Sequence, residues 1–253
     1  MRLVALTDLD DTLFQTARKL PEAARDMATR VAEARNGAHS YMTPTQAQLL
    51  NWLGAGLVVP VTARGSEAFS RVALDWPGPA IIANGARIVN GAQDDAAFKA
   101  EMSAALAPFG ADLHACPEAA LTEARSRGMS VRAWVVEEPG LGGVYAVVKA
   151  NEGTPEARLA ELEAPLTARL SSAWRVHRNG NNLALLPPPV SKRRAAGWLL
   201  DRLRAEGPVL AIGVGDSLSD LDFMRLCDAW MAPAQSQIDL ALPADPWARR
   251  PER

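Results

Sequence analysis

Val4-Ala5-Leu6-Thr7-Asp8-Leu9-Asp10-Asp11-Thr12-Leu13-Phe14 decides how the chain is read. A short apolar run delivers two carboxylates, Asp8 and Asp10, with Thr12 two residues further on. If the run is a buried strand, the acids emerge just past its carboxyl end, where open α/β sheets place their ligands. Neighbouring carboxylates repel unless a cation sits between them or one holds a proton. The spot is therefore a candidate for a divalent metal and for acid/base work. Taken alone, the same residues also fit an Asp-rich turn or a helix cap.

Working outward, three more apolar runs end in polar residues. Leu57-Val58-Val59-Pro60-Val61 leads into Thr62-Ala63-Arg64, although proline is awkward inside a central strand. Ala80-Ile81-Ile82-Ala83 leads into Asn84-Gly85. Val209-Leu210-Ala211-Ile212-Gly213-Val214 leads into Gly215-Asp216-Ser217 and on to Asp220. Apolar runs separated by helical segments are the pattern of a parallel sheet covered on both faces. The carboxyl ends of such strands share one edge, so Asp8, Thr62, Asn84 and Asp216 can converge.

Leu20, Ala24, Met27, Val31 and Ala34 recur every three or four positions, and Pro21 suits a first turn. The spacing predicts a helix over Leu20–Arg35. The polar stretch through Asn36-Gly37 and His39-Ser40 ends it, and Thr43-Pro44 opens the next helix, to about Leu53. Ser191 reads as the N-cap of a helix to about Glu206, which puts Lys192, Arg193 and Arg194 in its first turn. Cations there oppose the helix macrodipole, at roughly 0.3–1 kcal/mol each. An anionic pocket accounts for that arrangement; for Arg193 and Arg194 a solvated basic face does so equally well.

Between Arg87 and Pro189 the pattern changes. Helices are expected over Ala97–Phe109 and Pro117–Arg127, then a hairpin of Ser130–Glu137 and Gly143–Ala150 around Pro139-Gly140. A further helix is expected with Thr154 as N-cap and leucines at 159, 162, 166 and 170, then short strands at Trp174–His177 and Asn182–Leu186. Pro187-Pro188-Pro189 cannot continue a ladder and marks the exit. The expected fold class is α/β: a doubly wound, Rossmann-like parallel sheet core from 1–86 and 190–253, with an inserted α+β domain over 87–189. The tail after Pro243, with Arg249, Arg250 and Arg253, is expected to be mobile.

The totals narrow the function classes. With 253 residues the chain permits one large or two modest domains. Lys+Arg number 27 against Asp+Glu 29, a net charge of −2 that gives no nucleic-acid footprint. No apolar run reaches membrane-spanning length, and no cleavable signal peptide is expected before the first strand. Cys116 and Cys227 are far apart and not at metal-type spacing, which fits a reducing cytoplasm. His39, His114 and His177 are scattered, and surface or loop positions are expected for them.

Four elements in fixed order resemble the haloacid dehalogenase superfamily. Asp8-Leu9-Asp10-Asp11-Thr12 is similar to its first motif, Asp-x-Asp-x-Thr; Thr62 after an apolar run is similar to the second. Lys192 in Ser191-Lys192-Arg193-Arg194 and Gly215-Asp216-Ser217-Leu218-Ser219-Asp220 are similar to the third and fourth. An insert after Asn84-Gly85-Ala86 falls at the C2 cap position, which the Cof-type, sucrose-phosphatase-like, trehalose-phosphatase and phosphomannomutase branches share. The order of its elements favours the smaller C2B cap. Asp11 stands where the first motif commonly has glycine, Ser219 where many relatives have asparagine, and the Leu20–Arg35 segment is long for a C2 member.

The resemblance implies a Mg2+-dependent phosphatase of a small phosphorylated metabolite, a sugar or polyol phosphate, in the cytoplasm. It implies Asp8 as nucleophile, Asp10 as general acid and base, and Thr62 and Lys192 as phosphate ligands. Asp8, the Asp10 carbonyl, Asp216 and Asp220 would hold Mg2+, with Arg64 and Asn84 as candidate substrate contacts. For Asp216 and Asp220 an N-cap plus a first-turn acid also fits the residues alone; for Arg64 a solvated loop does, and for Asn84 a simple turn. An acid at Asp10 counts against a dehalogenase or an ATPase-type domain. A phosphosugar mutase of the same superfamily, and a non-catalytic phospho-ligand-binding protein, are the other readings. Oligomeric state stays open.

Overall fold

A computed structural model describes residues 1–34, 37–171 and 173–242. The tail after Pro243, and Arg35 and Asn36 of the expected first helix and its polar exit, lie outside the described residues.

The chain runs through β1 (Arg2–Thr7), β2 (Gln15–Thr16), β3 (Thr29–Ala32), β4 (Ser40–Met42), α1 (Pro44–Leu53) and β5 (Leu57–Pro60). Then come α2 (Ser66–Phe69), β6 (Pro79–Ile82), β7 (Arg87–Asn90), β8 (Gln93–Asp94), α3 (Ala96–Leu106) and α4 (Gly110–Ser126). β9 (Val131–Glu138), β10 (Gly142–Ala150), α5 (Glu163–Thr167), β11 (Arg175–Asn179) and β12 (Asn182–Leu186) follow. The last part holds α6 (Lys192–Glu206), β13 (Val209–Val214), α7 (Leu221–Met224), β14 (Ala229–Met231) and α8 (Gln237–Ala241).

The central sheet has strand order β14-β13-β1-β5, and every pair in it is parallel. Val4, Ala5 and Leu6 are completely buried, as a strand covered on both faces requires. β6 meets this sheet through one parallel bridge, Val61 to Ile81, and otherwise pairs antiparallel with β7. Pro60 is tolerated because it is the last residue of β5, where the ladder ends.

A second sheet, order β11-β12-β10-β9, is wholly antiparallel and is the inserted α+β cap. One of its faces packs on α4 and α5 through Ala146, Val148, Leu183 and Leu185. Tyr145, Val147, Ala184 and Leu186, from the opposite face, join the core of the central sheet.

Two expected helices do not form as such, and His177, expected on the surface or in a loop, is a half-buried residue of β11. The helix expected over Leu20–Arg35 does not form among its described residues: a short 3-10 turn at Ala17–Lys19 and another at Glu22–Met27 precede β3. The apolar spacing there does not make one buried stripe, since Met27 is 63% exposed while Val31 and Ala32 are buried. β3 and β2 instead flank β4 in a small antiparallel sheet, and tertiary pairing outweighs a weak local propensity. The segment after Thr154 is a 3-10 helix, Glu156–Leu162, running into the one-turn α5. Thr154 does not cap it; its hydroxyl accepts a hydrogen bond from the Ser130 amide, 3.0 Å away.

Thr43 caps α1 in a capping box with Gln46, and Ser191 caps α6 by accepting from the Arg194 amide. No helix among the described residues is long and apolar enough to cross a membrane.

Candidate active site

Four segments meet at the carboxyl edge of the central sheet. β1 delivers Asp8, whose amide extends the parallel pairing to the Val214 carbonyl at 2.8 Å. β13 ends beside it and continues into the loop carrying Asp216 and Asp220. That loop is tight: a Cβ on Gly215 would stand 2.6 Å from Asp220 Cβ. Asp220 is anchored from both sides, its Oδ2 accepting from the Ser217 amide at 3.1 Å and the Ser217 hydroxyl at 2.7 Å.

Lys192 arrives from the first turn of α6, and its position depends on Gly85. Gly85 has φ +87°, and a Cβ there would lie 2.2 Å from the Ser191 carbonyl oxygen, so only glycine lets the loop after β6 close against this helix start. The Lys192 Nζ then donates to Asp8 Oδ1 at 2.7 Å and to Asp220 Oδ1 at 2.8 Å.

Oxygens of Asp8, Asp216 and Asp220 lie within 4.8 Å of one another, and all three residues are buried. Three carboxylates thus face one ammonium. Burial holds the Asp8 carboxyl well above its ordinary range, Lys192 pulls it down, and Asp220 and Asp216 push it up again. Asp216 is pushed up to about 7 by burial, then by Asp220 and Asp11. Burial disfavours the Lys192 cation, but Asp220 and Asp8 more than offset it and raise its affinity for the proton. An all-oxygen, buried donor set with surplus negative charge suits a hard divalent cation such as Mg2+.

Asp10 stands apart from this cluster. Arg64 grips it as a fork, Nε to Oδ2 at 2.8 Å and Nη2 to Oδ1 at 2.7 Å, while the guanidinium lies 5.1 Å over the Phe14 ring. The Asp10 side chain is therefore not among the clustered carboxylates, and Arg64 meets an acid of the same edge. Thr62 is buried at the end of β5, and its hydroxyl accepts from the Arg64 amide at 3.1 Å, which shapes the Arg64 loop. Asn84 is buried with φ 56°, a left-handed conformation that asparagine tolerates, and its side chain reaches the Tyr145 hydroxyl. Asp11 has φ 64°, a left-handed conformation that suits glycine best and that aspartate is among the few other residues to adopt. Its carboxylate pairs with Lys19.

A cavity of about 240 Å3 opens beside Lys192 between the core and β11, with Asn84, Arg175, His177 and Asp222 on its wall. Residues that sequence reasoning passed over come mostly from the cap. Tyr145 donates to the Ala63 carbonyl at 2.8 Å. Glu138, at the end of β9, accepts from the Ser66 amide at 2.8 Å and from Arg87 at 2.9 Å, and Arg87 continues to Asp94 at 2.6 Å. Both cap residues thus clasp the loop that carries Arg64. Strands were expected at both places in the sequence, but which face of each would look inward was not legible.

No protein-family model and no curated protein matches the chain. Solved structures do. The C-terminal domain of the trehalose-6-phosphate phosphatase of C. albicans is 13% identical, over 88% of this chain and 73% of that one, with TM-score 0.54. A protein of Eubacterium rectale is 13% identical over 95% and 90%, with TM-score 0.54. Thermoplasma acidophilum 0175 is 12% identical over 93% and 86%, with TM-score 0.52. At such identity the likeness is one of fold: a doubly wound parallel sheet with an α+β cap inserted, the fold class the sequence led to expect.

Proposed function

We propose that the chain is a phosphatase that hydrolyses a small phosphorylated metabolite, a sugar or polyol phosphate, through a phosphoaspartate on Asp8. The observation that carries this reading is the meeting of Asp8, Asp216 and Asp220 around Lys192 at the end of a parallel sheet, with a second acid, Asp10, two residues from the first.

Phosphoryl transfer asks mainly for positioning and charge stabilisation. Asp8, backed by Lys192, attacks phosphorus; the bond to the leaving oxygen breaks, and Asp10 supplies that oxygen with a proton. Asp10 then takes a proton from the water that attacks the phosphoaspartate, which returns Asp8 and frees phosphate. Arg64 occupies one lone pair on each Asp10 oxygen, and the others stay open for those transfers. Asp8, Asp216, Asp220 and the Asp10 carbonyl would hold Mg2+, which when bound neutralises the charge of the acids and of the phosphate. Lys192 shares that work at the phosphate oxygens, and the cap excludes bulk water. A cavity of about 240 Å3, small beside the usual ligand pocket, favours a compact ester. Support for a sugar phosphate comes from the C. albicans neighbour, a trehalose-6-phosphate phosphatase.

Release of phosphate from p-nitrophenyl phosphate by the purified chain with Mg2+ tests the proposal. Asp8→Asn is expected to abolish it; near-normal turnover by that variant refutes the assignment.

A further inference from the structure

The register of the cap strands says which side chains share its inward face. Val136 stands opposite Tyr145, Trp134 opposite Val147, and Arg132 opposite Lys149. Alternate residues of a strand point the same way, so Arg132, Trp134 and Lys149 lie on the face of Tyr145. That face looks at the core, because the Tyr145 hydroxyl donates to the Ala63 carbonyl, next to Arg64. The intervening residues Ala146, Val148 and Ala150 turn the other way, into the core under α4.

Lys149 is half-buried and forms no ion pair among the described residues; its Nζ lies 6.0 Å from the centre of the Trp134 ring. Arg132 has Asn151 Oδ1 at 3.0 Å and no carboxylate partner among the described residues. Trp134 is 38% exposed. Burial draws the Lys149 ammonium below its ordinary range and Arg132 adds to that, while Asp10 acts the other way. Lys149 thus feels the acid that serves the leaving oxygen, yet Arg64 already forks both oxygens of that acid. A half-buried cation without a counter-ion is costly, and a ligand anion removes the cost. An exposed indole beside it offers a flat apolar surface to a sugar ring or carbon chain.

We propose that Trp134, Lys149 and Arg132 form the subsite for the leaving half of the substrate, and that this half carries its own anionic substituent, a carboxylate or a second phosphate. The inference rests on the phosphatase reading above and narrows it to phosphate esters of acidic sugars or polyols. Trp134 supports the carbon skeleton, Lys149 meets the substituent, and Arg132 reinforces it from the outer edge of β9.

Binding to the Asp8→Asn variant, with Mg2+ present, is followed by tryptophan fluorescence and by calorimetry for two matched pairs. These are glucuronate 1-phosphate against glucose 1-phosphate, and 3-phosphoglycerate against glycerol 3-phosphate. In at least one pair the ester with the carboxylate is expected to bind about tenfold tighter than the ester without it. Adding Lys149→Met is expected to erase that preference, so that the two members of a pair bind alike, whereas Lys149→Arg keeps it. Equal affinity within both pairs, no binding of any of the four, or a preference that survives Lys149→Met overturns the inference. Turnover of p-nitrophenyl phosphate by the unaltered chain is read separately. Its absence removes the phosphatase reading and leaves a selective subsite standing; its presence with unselective binding removes only the subsite.

Discussion

The Nζ of Lys192 lies 2.7 Å from Oδ1 of Asp8, although 184 residues separate them along the chain. The same ammonium reaches Asp220, so one cation ties β1, the start of α6 and the loop after β13 together. The side chains involved are 12%, 8% and 1% exposed. Lys192 is therefore a structural counter-ion as well as a candidate phosphate ligand.

Lys192→Met is accordingly expected to abolish turnover and also to destabilise the metal-free chain, by about 3–5 kcal/mol, because truncating one member of a buried pair leaves charge uncompensated. Urea unfolding in the presence of EDTA measures this. A change below about 1 kcal/mol, typical of a solvated pair, would contradict it.

The pH response of the metal-free chain follows from Asp216, raised from 3.8 to about 7, and from Asp8, raised in the same direction. The folded state binds these protons more tightly than the unfolded state does. Their contribution to stability is full below the unfolded value near 3.8 and is lost as pH rises through about 7. A cation competes with those protons. Mg2+ is expected to raise the melting temperature more at about pH 8 than at about pH 5, and Asp216→Asn to shrink that difference. Equal shifts by Mg2+ at both pH values would count against a metal held by these acids.

Arg64→Lys replaces a planar fork by a single point charge, so Asp10 loses one of its two contacts. If Asp10 delivers the leaving-group proton, the loss in kcat is expected to be roughly tenfold or more for an alkyl phosphate. The loss should be smaller for p-nitrophenyl phosphate, whose leaving group needs little protonation. Parallel kinetics with both esters decide it; equal losses would leave Arg64 a packing role only.

Glu138 joins the end of β9 to Ser66 and Arg87, with its side chain 1% exposed. Glu138→Gln keeps the shape and is expected to cost about 1–3 kcal/mol, since it leaves buried donors poorly matched. Glu138→Ala, which leaves Arg87 with Asp94 as its one carboxylate partner among the described residues, is expected to cost about 3–5 kcal/mol. Chemical denaturation of the two variants reads these values, and two unchanged midpoints would show that the clasp contributes nothing.

Much of the core was legible because its signals are local. A buried strand reads as an unbroken apolar run, and Thr43-Pro44 and Ser191 are caps whose hydrogen bonds reach only three residues along. Leu20–Arg35 misled for the complementary reason. Its three-to-four spacing was real, but Thr29–Ala32 pairs with Ser40–Met42, and that partner cannot be seen from within the segment.

The acids at Asp8, Asp10, Asp216 and Asp220, and the lysine among basic residues at the start of a helix, were written in the sequence, because residue type and position at a strand or helix end are properties of short stretches. Which of them share space was decided by tertiary structure alone. Asp8, Asp216 and Asp220 cluster, with Lys192 bonded to the first and last of them, while Asp10 turns to Arg64, and on the inward face of the cap Lys149 stands beside Trp134. Strand order, register and burial set those distances, and burial gives the charges their strength, since a carboxylate unremarkable in water becomes a demand for a proton or a cation once solvent is removed.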